Sequence, residues 1–324
     1  MRVAIYLPLV LPLLAAVAAR PIVDRLPPKA AAWLLSAGAL ALALTSSAVL
    51  GLLALSALIR LPLVEAIGHL SRPAVTTGDA VSVPVAIVAG ALLAAAATAV
   101  VTAAGRGTAA IARAHRHASG LPGAGAIVVT EDAAADAYTV PGWPCRIVIT
   151  EGMLRALSAG ERDVLLAHER THAKNAHYLF TAAARLAAAA NPLLRPVTAA
   201  VGYAVERWAD ERAAAETGDR ALAARAVAHA ALATSAAPPD RDAAMTALGL
   251  ITREGDGQRG GRHRKAGSRR AGPVPRRVAA LLAPPLALSP LLLVAAIVLV
   301  AVSGASALEA ARNLHQLIEI AQGQ

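Results

Sequence analysis

The chain has 324 residues, 56% of them hydrophobic but only 2% aromatic, and a mean hydropathy of +0.54, a balance that a wholly soluble single domain rarely shows. Its net charge is +10, yet residues 253–277 hold nine Arg or Lys and two acids, so most of the excess is one local patch. The single cysteine, Cys145, excludes an intramolecular disulfide framework and any cysteine-rich zinc module.

Four charge-free stretches, residues 3–19, 30–59, 80–105 and 278–308, are expected to cross about 30 Å of hydrocarbon as helices rising roughly 1.5 Å per residue. The first also has signal-peptide features, with Arg2 before an apolar run ending in small residues, but a second long span follows at once. Lys and Arg concentrate in residues 20–29 and 106–277, so the positive-inside rule puts those loops in the cytoplasm and both termini outside.

Residues 106–252 are the expected soluble domain. Short β-branched runs at 126–130, 137–140 and 146–150, separated by turn-rich segments, predict a small antiparallel sheet. Ser158 and Glu161 form a capping-box pattern, and the helix they open is predicted to run to Asn191-Pro192. Further helices are predicted over 197–217, ended by Gly218, and over 220–234 and 240–250. Residues 253–277, rich in Gly and Arg, read as a disordered linker whose charge favours anionic lipid headgroups. No direct nucleic-acid binding is expected, because neither a reading helix nor an aromatic platform accompanies that charge. Residues 309–324 remain as a short outer tail.

The chemistry concentrates in His168-Glu169-Arg170-Thr171-His172, an H-E-x-x-H. On a helix the two histidines lie one turn apart on one face, so both imidazoles can bind one Zn²⁺ while Glu169 reaches its water as general base and later proton donor. A catalytic zinc needs a third protein ligand and an open position for water. Glu206 is the natural third ligand, and Asp210, four residues on and on the same face, can accept the second ring N–H of a liganding histidine. Without the upstream motif both would read as charges on a solvated face.

His177 lies nine residues past His168, which on one continuous helix turns it about 180° away from the metal. The extended metzincin pattern would need histidine and glycine where Tyr178 and Asn175 stand. Cys145 reads as a small buried hydrophobe. For the group stabilising the oxyanion, His177, Tyr203 and Arg212 are open candidates.

Three spans, a domain with IVIT-E-G-M-L followed by L-L-A-H-E-R-T-H, then E-R-W-A-D and a last span resemble the bacterial BlaR/MecR antirepressor metallopeptidase family. The likeness is strongest over residues 124–214. It implies a mainly α, multi-pass membrane protein with four transmembrane helices and a cytoplasmic gluzincin-type domain containing a small sheet. It implies zinc on His168, His172 and Glu206, Glu169 catalytic and Asp210 supporting. It further implies a peptide or protein substrate, in that family a transcriptional repressor, paired as a strand to a sheet edge around Arg146, Ile147, Val148, Ile149 and Thr150. The large extracellular penicillin-binding domain of beta-lactam-sensing members has no counterpart in residues 309–324. Membrane proteases of the CAAX-prenyl-protease and HtpX type share the H-E-x-x-H and E-x-x-x-D pattern and are the alternative. They commonly place further spans between the motif halves, whereas here 178–205 is apolar but interrupted by Arg185 and Arg195.

Overall fold

The computed structural model describes residues 6–58, 82–120, 125–142, 145–235 and 272–322. The helix expected over 240–250 and most of the basic linker lie outside the described residues. Among the described residues, four helices are long and apolar enough to cross a membrane: α1 (Leu7–Arg25), α2 (Pro28–Leu58), α3 (Val83–Ser119) and α10 (Pro290–Gln322). Between α3 and α10 come β1 (Ile127–Thr130), β2 (Ala137–Val140), β3 (Arg146–Thr150), α4 (Glu151–Ala156), α5 (Ala159–Lys174), α6 (His177–Ala190), a 3₁₀ turn (Pro192–Leu194), α7 (Arg195–Thr217), α8 (Arg220–Ser235) and α9 (Pro273–Leu282).

The spans pack through small residues, as helices must where lipid tails compete for every apolar contact. Gly90 faces Ala54 across the α2–α3 contact, Gly38 faces Val300, and Thr45 exchanges a 2.7 Å hydrogen bond with Ser303 between α2 and α10. Two boundaries differ from expectation. The third span continues without a break through Gly105 and Gly107 to Ser119, because no proline follows to stop it, and so carries the domain on its own end. The last span starts at Pro290 instead of Val278: Pro284-Pro285 removes two helix donors, so 278–282 belongs to the separate helix α9. The end of the basic stretch, from Pro273 through Arg277, is helical and not linker.

The sheet is mixed, not antiparallel, in the order β1-β3-β2, with β1 parallel and β2 antiparallel to β3. β3 is therefore the central strand, paired on both sides, and the edge expected at Arg146–Thr150 is not an edge. Its sequence is consistent with this: Ile147 and Ile149 face Met153 and Leu157, while Val148 faces Ala110, Ala114 and Ala118 of α3, so both faces are buried. Gly152 closes the unit, since a Cβ there would meet the Ala133 carbonyl oxygen at 2.2 Å.

The capping box opens α5 as predicted, with Glu161 Oε2 accepting from the Ser158 N–H at 2.9 Å. The helix does not run on to Asn191. It ends at Lys174, and Ala176 takes a left-handed turn (φ 47°) that redirects the chain into α6. α6 and the first half of α7 then form a hairpin packed on α1 and α2.

Candidate metal centre

Two helices bring the motif residues together. α5 presents His168 and His172 one turn apart, and α7 crosses it with Glu206 and Asp210 on the facing side. The Nε2 atoms of the two histidines are 3.1 Å apart; Glu206 Oε2 lies 3.7 Å from that of His168 and Oε1 3.7 Å from that of His172. One donor atom from each of the three residues falls within 4.8 Å of the others, a spacing suited to one metal ion.

The far side of each ring is also occupied. His168 Nδ1 donates to Asp210 Oδ1 at 3.0 Å. That interaction fixes its tautomer, because a carboxylate only accepts, and it points a ring lone pair at the cluster. His172 Nδ1 lies 3.2 Å from Nδ1 of His177. The left-handed turn at Ala176 resets the helical phase, so His177 is buried against His172 and Trp208 instead of facing away. It stays outside the three-donor cluster, as expected, but not for the angular reason.

Arg277 is the residue that sequence reading missed. It comes from α9, at the end of the basic stretch, and its Nε and Nη2 donate to the two oxygens of Asp210 at 2.7 Å each, while Nη1 lies 3.0 Å from Glu206 Oε2. No local signal separates it from its neighbours in a run of arginines. Arg276, next to it, pairs with Asp24 of α1 and stacks on Tyr203 at 4.1 Å, and Arg220 holds the carbonyls of Ala280 and Leu281. α9 is thereby tied to both α1 and α8.

Charge follows from these contacts. Burial disfavours ionisation of Asp210 and Glu206, but Arg277 outweighs it and holds both well below the usual carboxylate range. Burial likewise opposes charging of His168, yet its bonds to Asp210 and Glu206 carry its pKa up to about 10. His172 is pushed down to about 4, by burial first and then by the neighbouring His168 and Arg277 charges. Two imidazole nitrogens 3.1 Å apart beside an ionised carboxylate are the place and the donor chemistry that a divalent cation of borderline softness fits.

Glu169 lines the same cleft as the two histidines and Glu206. Its Oε2 accepts from the Thr139 hydroxyl at 2.8 Å, and that hydroxyl also lies 3.0 Å from the Glu169 carbonyl oxygen. Burial raises the carboxyl above its ordinary pKa. A cleft of about 1010 Å³ opens over the cluster, lined by Tyr138, Thr139 and Cys145 on one side and Ala226, Ala230 and Arg277 on the other. Tyr203 and Arg212 are not among its lining residues. Cys145 lines it half-buried, its thiol 3.2 Å from the Val140 carbonyl oxygen and pushed up by burial, as suits a packing residue.

The description peptidase family M48 belongs to the family model that matches residues 104–284, more than half of the chain and a range that takes in Thr139, the α5 motif, Glu206, Asp210 and Arg277. No curated protein and no solved structure matches the chain.

Proposed function

The chain belongs to peptidase family M48, a family of metallopeptidases, and from that premise we propose a zinc-dependent endopeptidase that cuts peptide bonds at the cytoplasmic face of a bacterial plasma membrane. The observation that carries the reading is the convergence of His168, His172 and Glu206 in one cleft with a buried carboxylate, Glu169, beside them. His168, His172 and Glu206 would hold the zinc. Such an ion, when bound, lowers the pKa of a water and polarises the scissile carbonyl.

The chain's own residues do the rest. Glu169 takes the water's proton on a carboxylate oxygen and later delivers it to the departing amine nitrogen, a role suited to a carboxyl whose pKa burial has raised above its ordinary value. Thr139 holds that carboxylate in place through its hydroxyl. Asp210, clamped by Arg277, keeps His168 in the tautomer that offers Nε2, and His177 accepts the Nδ1–H of His172 for the same purpose.

The substrate strand docks on β2 and not on β3. Because the Thr150 N–H donates to the Asp136 carbonyl, antiparallel alternation turns Asp136, Tyr138 and Val140 toward β3. The backbone groups of Ala137 and Thr139 therefore face outward on the edge that borders the cleft, where an extended peptide can add as a further strand. The regulatory form of this reading, cleavage of a transcriptional repressor, is carried by the resemblance alone, as is a processing or quality-control role of the CAAX or HtpX kind. Anionic lipid at the basic stretch completes the proposed partners.

The test is the metal content and peptide hydrolysis of detergent-purified protein, wild type beside Glu206→Ala and Glu169→Gln. About one zinc per chain, lost in Glu206→Ala and kept in an inactive Glu169→Gln, is the expected result. A Glu169→Gln protein that still hydrolyses at the wild-type rate would overturn the mechanism.

A further inference from the structure

The segment between the two halves of the metal centre does not lie on the outside of the domain. Its arms, α6 and the first half of α7, pack against the same stretches of α1 and α2 that carry the apolar span sequences. Leu11, Ile22, Leu35 and Leu42 share one buried cluster with Phe180 and Leu194. Hydrogen bonds give the depth. Near the site, Ser36 of α2 donates to the Phe180 carbonyl at 3.5 Å, Arg207 donates to the Val23 carbonyl at 3.0 Å, and Trp33 meets Phe180 edge to face. At the hairpin tip, the Asn191 amide donates to Ser46 Oγ at 3.2 Å, and Ser46 donates to the Pro8 carbonyl at 2.6 Å.

These are two rulers laid along two helices. From Val23 back to Pro8 on α1 is about 22 Å at roughly 1.5 Å per residue, and from Ser36 to Ser46 on α2 about 15 Å. Both place the Asn191 tip level with the start of α1, far from the end where Arg20, Arg25 and Lys29 gather. We propose that residues 178–205 form a re-entrant hairpin set in the bilayer beside α1 and α2, reaching most of the way to the opposite face, with lipid covering its outer surface. The inference rests on α1 and α2 being spans and not on the peptidase activity.

The surface chemistry fits that occupant. Leu179 and Leu193 are exposed on the hairpin, as are Leu13, Val17 and Leu44 on the spans. The two charges from 178 to 205 are Arg185 and Arg195. Arg195 sits beside the tip, where the opposite headgroups would receive it. Arg185 is the costly residue, and its long stem lets the guanidinium lean away from the depth of its own Cα. The tip itself breaks no rule of the bilayer, since Asn191 caps the 3₁₀ turn by accepting from the Leu193 N–H at 3.1 Å and its amide is held by Ser46. The consequence is that His177, Glu206 and Trp208 stand where the hairpin arms leave the membrane, so the metal centre is built on the membrane surface and not suspended above it.

Sided labelling of the full-length chain decides this. On a Cys145→Ser background, single cysteines are placed at Arg155 on the domain, at Arg25 and Tyr6 at the two ends of α1, and at Leu193 and Arg195 on the tip. Each is treated with a membrane-impermeant maleimide in right-side-out and in inverted vesicles, with labelling after denaturation as the total. The expected result is that Arg25 and Arg155 label from one side, Tyr6 labels from the other, and the two tip positions label with Tyr6 or from neither side. Tip cysteines that label with Arg155 while Tyr6 stays opposite would overturn the hairpin and leave the spans intact. Tyr6 and Arg25 labelling from the same side would overturn the span reading and the hairpin with it, and peptide hydrolysis in the Cys145→Ser background separates either result from failure of the peptidase assignment.

Discussion

The metal centre has a local half and a distant half, and they are built on different principles. In the local half, His168, Glu169 and His172 sit within one turn and a third of α5, and the helix pitch alone sets which of them share a face. In the distant half, Thr139 from a strand, Glu206 and Asp210 from α7 and Arg277 from α9 arrive over more than a hundred residues of chain, and only packing brings them within 3 Å of their partners. The comparison teaches a division of labour. The local half places two imidazoles and the Glu169 carboxylate on one helix, while the distant half adds the Glu206 carboxylate and sets orientation, tautomer and charge.

The largest expected effect falls on the local half. Replacing Glu169 with Gln should lower kcat by about 10²–10⁴-fold while metal content stays at the wild-type level, measured by peptide hydrolysis beside elemental analysis. A similar loss of metal in that variant would erase the distinction between base and ligand. Next comes Arg277→Leu, which leaves the donor set intact and removes the clamp on Asp210. Zinc affinity by chelator competition should fall about 10–100-fold. If orientation acts through Asp210, the double variant with Asp210→Asn should lose little more than either single variant. Additive losses would mean that Arg277 acts on Glu206 alone.

A smaller effect is expected at Thr139→Val, and its sign follows from the carboxyl it serves. Burial already raises the Glu169 pKa, so the rate should fall as pH drops through a value above the ordinary carboxylate range. The Thr139 hydroxyl favours the ionised form, so removing it should move that acid limb of the pH profile further up. An unchanged limb would sever the strand from the chemistry. The smallest effect tests the scaffold of the local half. Burial raises Glu161, but its bonds from Ser158 and His229 outweigh this and hold it below its ordinary value. A lowered folded-state pKa means stability that is present above the unfolded value and lost as pH falls toward the folded one. Ser158→Ala should cost about 1 kcal/mol near neutral pH, read as a lower Tm in detergent.

Much of this was legible in the chain. The four spans, the capping box at Ser158, the stop at Gly218 and the E-x-x-x-D face of α7 all rest on periodicity or capping, which neighbouring residues determine among themselves. Three readings failed for one reason. The order of strands, the break at Ala176 and the helix carrying Arg277 depend on contacts between residues far apart in sequence. RIVIT looks the same at an edge or at the centre of a sheet, and it becomes central here because β1 returns parallel to it while α3 covers its other face. Ala176 carries no turn signal, and its left-handed conformation accompanies contacts that the turn makes possible, His177 against His172 and Trp208. The arginines of 253–277 are alike by composition, and Arg277 is distinguished only by the two carboxylates it meets.

The sequence by itself determined that His168 and His172 share one helix face, because an i, i+4 spacing on a helix is a property of the helix and needs no partner. The tertiary structure decided everything that depends on direction: which nitrogen each histidine offers, which carboxylate is clamped, which strand edge is open, and how deep 178–205 lies beside the spans. The physical reason is range. Backbone geometry and capping act over one or two turns, whereas a buried charge is stable only when a counter-charge and hydrogen-bond partners close around it, and those come from wherever the chain folds back.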